Sequence, residues 1–158
     1  MANTILITDA GLAEVVNAEQ SGTAHVVITE VGYGTGQYTP TGDMTALKEE
    51  FKRLTTIAGG AVGDNVIHLA ARDDSAEAYT VYEVGLYTAS GTLFAVCSQT
   101  VPIIQKASQS QALLAIDLAV TDFSADSIAF GDTNFLNPPA TTTTLGVVEL
   151  ATNEETIA

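Results

Sequence analysis

Tryptophan is absent from this chain of 158 residues, and cationic side chains are scarce, with five Lys and Arg against nineteen Asp and Glu and a net charge of −14. Phosphate contacts need Lys and Arg, so the balance argues against nucleic acid as a partner. It argues equally against direct electrostatic binding to anionic membranes. A single cysteine, Cys97, excludes an internal disulfide. It lies in FAVCS, a strand-like run, and reads as a small buried thiol. A catalytic thiol would want a histidine, and there are two, His25 and His68. Both fall in strand patterns, and nothing near either has the spacing of metal ligands. No apolar run approaches the ~18 residues of a membrane helix. The opening MANTILITDAG has no basic residue ahead of its apolar stretch, unlike a secretory signal, so synthesis in the cytoplasm is expected.

What is present is apolar: 46% of the residues are hydrophobic and 15% charged, the composition of a globular domain with a core. The acidity has two readings, solubility or a basic docking partner. Three of the five cations, Lys48, Lys52 and Arg53, cluster in KEEFKR, which reads as an exposed helix face with paired charges.

Residues 8–19, TDAGLAEVVNAE, read as a helix capped by Thr8, with Asp9 at its positive end and Leu12, Val15 and Val16 on one apolar face. Residues 24–31, AHVVITEV, read as a strand. GYGTGQYTPTGD reads as a loop, and residues 45–57, TALKEEFKRLTTI, as a second short helix with Leu47, Phe51 and Leu54 on one face. GGAVGDN reads as a turn. NVIHLAARD, AYTVYEVGLYT, TLFAVCSQTV and QALLAIDLAVTD read as strands, with ASG as a tight hairpin turn. The clearest alternation puts Leu114, Ile116, Leu118 and Val120 on a covered face, and Ala115, Asp117, Ala119 and Thr121 on the other. The fold class is therefore α+β: a mainly antiparallel β domain with two short helices. Near residue 137 the composition shifts to NPPA and TTTT, an extended linker.

Candidate sites are few. GYGTG, residues 32–36, lacks the following helix that a dinucleotide fingerprint requires and is read as a turn exploiting glycine at positive φ. Asp73, Asp74 and Glu77 form an acidic patch, either a surface loop or a cation site. Glu83 lies inside an apolar strand. Either it points to solvent, or it is held by an ion pair or by backbone amides. No cofactor is implied, and no clustered residues point to an enzyme such as a polysaccharide depolymerase.

ANTILITDAGLAEVVNA, VGYGTG with its downstream TALKEEFKR, and EVGLYTASGTLFAV together resemble the N-terminal domain of phage tail-collar fibre proteins. Thr8, Gly11, Val31, Gly32, Gly34, Glu83, Val84, Gly85, Leu86, Tyr87, Gly91 and Leu93 carry the likeness, while Tyr33 departs from it. TTTTLGVVELATNEET resembles a repeat found in phage tail fibres. The resemblance implies a virion structural protein: a homotrimer whose residues 1–136 attach to phage baseplate proteins of a contractile or related tail, with no chemistry performed. Residues 137–144 are then a Pro/Thr-rich linker, and residues 145–158 the beginning of a fibre repeat. The glycines of GYGTGQ and the NPPA linker are the expected pivots.

LGVVEL is too short and apolar to stand alone in water. Leu145, Val147, Val148 and Leu150 are therefore expected to pack with sister chains in a trimeric fibre shaft. Thr152 and Glu155 have the spacing of a capping box with only three residues after it, which leads us to expect a piece of a longer fibre, with further segments or subunits beyond. The alternative function is a receptor-binding module for a host surface glycan, using Tyr33, Tyr38, Tyr79, Tyr82 or Tyr87.

Overall fold

The computed structural model describes residues 5–21, 25–62, 65–120, 123 and 127–130. After the short strand β1 (Leu6–Ile7), helix α1 (Asp9–Ser21) begins where the sequence predicts. Thr8 caps it: the Thr8 hydroxyl oxygen accepts the Gly11 N–H at 3.0 Å, which supplies a partner for an otherwise unpaired amide of the first turn. Val15 is fully buried and Leu12 partly, but Val16 is 37% exposed, so the apolar stripe is narrower than the three-residue face expected.

Strand β2 (Val26–Gly34) starts just after the exposed His25 and runs through the first three residues of GYGTG. It is the spine of a six-stranded sheet. β7 (Glu83–Thr88) lies antiparallel on one side, and beyond it β8 (Leu93–Ser98) and β1. On the other side of β2, β3 (Glu50–Leu54) pairs antiparallel with its C-terminal half and β11 (Ile128–Phe130) parallel with its N-terminal half. β4 (Ile57–Ala61), β5 (Val66–Asp73) and β10 (Ala112–Ala119) form a separate antiparallel sheet in the order β10-β5-β4. β6 (Tyr79–Val81) pairs with β9 (Ile104–Lys106).

The second helix predicted over 45–57 is not formed. Glu50–Leu54 is a strand, because the edge of β2 offers it a ladder from Val31 to Gly34, which overrides a helical spacing of apolar residues. Strand alternation then separates residues that a helix would bring together: Leu54 is buried and Phe51 is 45% exposed. Nor is GGAVGDN wholly a turn, since Gly59, Gly60 and Ala61 pair with Leu69, His68 and Ile67. The ASG hairpin turn forms as expected, with Gly91 at φ 89°, a region that disfavours residues with a Cβ.

The main core lies between the two sheets, where Ile28, Val31, Tyr33 and Leu86 meet Ile57, Leu69, Leu114 and Leu118, and α1 contributes Val15. β10 alternates as predicted: Leu114, Leu118 and Val120 are buried, while Ala115, Asp117 and Ala119 face out. A smaller cluster of Leu47, Tyr87, Leu93 and Val96 covers the opposite face of the large sheet. The fold is thus a mostly antiparallel β domain with one helix among the described residues. The linker 137–144 and the shaft residues Leu145, Val147, Val148 and Leu150 lie outside those residues.

Candidate functional site

Glu83 does not face solvent. It is fully buried, and its carboxylate is the hub of the loop 35–49. One oxygen, Oε1, accepts the backbone N–H of Gly36 at 3.2 Å and of Glu49 at 2.7 Å. The other, Oε2, accepts the N–H of Lys48 at 3.1 Å and the Tyr38 hydroxyl. Backbone amides of both ends of one loop therefore converge on a single side chain. A buried carboxylate is costly without such donors, and with them the bonds are charge-assisted. The Tyr38 hydroxyl is pushed well above its ordinary pKa, first by burial and then by its hydrogen bond to Glu83.

Gly34 explains why the loop can come so close. It pairs with Glu83 across the sheet, and a Cβ on Gly34 would lie 2.2 Å from Glu83 Oε1 and 2.7 Å from the Glu49 carbonyl oxygen. The need is for space, not for positive φ as the sequence suggested, and Gly34 and Gly36 are clamped instead of acting as pivots. Gly32 and Gly85 face one another across β2 and β7, and the Leu47 side chain fills the hollow they leave. Tyr87, also fully buried, stands beside this hollow with the Arg53 guanidinium 3.6 Å over its ring and its hydroxyl 3.2 Å from Glu50. Leu86 points the other way, into the main core. Ser98 ties the loop further, accepting the Tyr38 N–H at 3.1 Å and donating to the Gly36 carbonyl at 2.9 Å.

The start of α1 is fixed to the same assembly. Thr8 donates its hydroxyl to the Leu93 carbonyl at 2.5 Å, and the Asp9 N–H bonds to the Gly42 carbonyl of the loop at 2.8 Å. A Cβ on Gly11 would lie 2.6 Å from the Phe94 carbonyl oxygen, so this glycine lets the helix approach β8.

A second polar cluster holds the segment after β5. Asp73 is buried and accepts from Tyr79 Oη at 2.5 Å and from the Ser75 N–H at 2.9 Å, with Lys52 Nζ at 3.0 Å. Burial raises its pKa, but these three partners outweigh burial and hold the carboxyl well below the usual carboxylate range. Lys52 also bonds Glu77, and the buried Lys106 donates to the carbonyls of Ser75 and Glu77. The acidic patch read from the sequence is thus occupied by Lys52, while Asp74 lies 3.8 Å from Arg72. Among the described residues, no three His, Cys, Asp or Glu side chains group to hold a metal ion. Lys52 and Arg53 are charge-paired as predicted, but on a strand: Arg53 pairs with Glu50 of its own strand and with Glu30 of β2, and Lys52 with Asp73 and Glu77.

Sequence reasoning missed Tyr38, Ser98 and Lys106 as members of these networks. Lys106 did carry a signal: it is the one Lys or Arg in the sequence after Arg72, following Ile103, Ile104 and Gln105. Cys97 is buried, and burial pushes its thiol up. Tyr33 is fully buried, and Tyr38, Tyr79 and Tyr82 are partly so. Phe51 and Tyr79, with ring centroids 5.4 Å apart, line a cleft of ≈ 340 Å³ beside Lys52 and Glu77. His68 sits on the outer face of β5, 2.6 Å from Asp117.

Fold and site define a class: a small β domain whose buried polar groups brace its own loops, as suits a structural part. The family model for the N-terminal region of the phage tail-collar fibre protein matches residues 1–130. This chain belongs to that family and is a phage tail fibre structural protein, a component of the virion. No curated protein and no solved structure matches it.

Proposed function

We propose that this chain forms the baseplate end of a homotrimeric tail fibre and anchors the fibre to the tail. Residues 1–136 act as the attachment domain, residues 137–144 as the linker, and residues 145–158 begin the shaft. The observation that carries this reading is the order of the segments: a match to the N-terminal tail-collar region over residues 1–130, then NPPA, then LGVVEL. In the shaft, Leu145, Val147, Val148 and Leu150 pack against their copies in sister chains, which pair the strand edges left open in a single chain. The role involves no chemistry. The Glu83-braced loop supports it by giving the baseplate a surface of fixed shape, because a preorganised loop loses little entropy on docking. The net charge of −14 suits basic grooves on the docking partner.

Light scattering on the native assembly, together with copurification with tail baseplates, tests the proposal. A mass of three chains and recovery with baseplates are expected. A one-chain mass removes the trimer, and absence from baseplates removes the anchoring role. A second reading, recognition of a host surface glycan, has the cleft between Phe51 and Tyr79 in its favour. Binding of the purified chain to host cells, abolished by Phe51→Ala, would support it over anchoring.

A further inference from the structure

We draw no further inference here: the strongest candidate, the outward face of the β10-β5-β4 sheet with its cross-strand row of Ala58, Ala70 and Ala115 beside the exposed Leu113, carries none because nothing in the structure shows what covers it.

Discussion

Glu83 shows what a single carboxylate can organise when every lone pair is used. It accepts three backbone N–H groups and a phenol, so the amide of Glu83→Gln would present donors to donors. We expect E83Q to cost about 2–4 kcal/mol. In a domain of this size the melting temperature should fall by roughly 10 °C. Trypsin should then cut after Lys48 in the folded variant but not in the wild type, because the loop end is no longer held. Resistance of E83Q to that cleavage would show that the loop is held by other contacts. Asp73 makes a different prediction, in pH. Its folded pKa lies below the unfolded value of ~3.9, so its contribution to stability is complete above about pH 5 and is lost as pH falls through the folded pKa. Asp73→Asn should therefore be less stable than the wild type at pH 6, and the gap should close as the pH is lowered below about 4. Urea titrations of both proteins across that range measure it.

Strand β3 is the element that departs most from its sequence pattern. Leu47, Phe51 and Leu54 would share one face of a helix, but in the strand Leu54 enters the core while Phe51 stays 45% exposed. Leu54→Ser should cost about 2–4 kcal/mol and Phe51→Ser less than about 1 kcal/mol. Equal losses in thermal melts would favour the helical arrangement. For β10, Leu118→Asp places an unpaired charge in the core between the sheets and should abolish cooperative unfolding. A soluble L118D protein that still melts cooperatively would contradict the placement of that strand. The glycines belong at this scale too. Gly34 and Gly11 are needed because an element passes within contact distance of their backbone, a requirement that does not depend on φ.

At the scale of the whole molecule, charge would separate the two kinds of contact that the proposed role calls for. Docking of an acidic domain to a basic baseplate groove should weaken as salt rises, whereas contact between two like-charged copies should strengthen. Pull-down of baseplates and light scattering over the same salt series, from about 0.05 to 0.5 M, are expected to move in opposite directions. Parallel trends would mean that one of the two contacts is not governed by net charge.

By itself, the sequence determined the local features whose cause is local. Thr8 caps a helix because its hydroxyl reaches the third amide onward, and Leu114 to Val120 alternate because successive strand residues face opposite ways. The glycine turn at ASG and the family signature EVGLYTASGTLFAV are legible for the same reason. Only the tertiary structure decided whether KEEFKR is helix or strand, since the deciding partner, β2, lies some twenty residues earlier in the chain. It alone decided the orientation of Glu83, because the donors that make its burial tolerable come from residues 36, 38, 48 and 49, positions that no pattern within β7 can reveal. Burial of a charge depends on which donors the folded chain brings to it, and that is a property of the assembled fold.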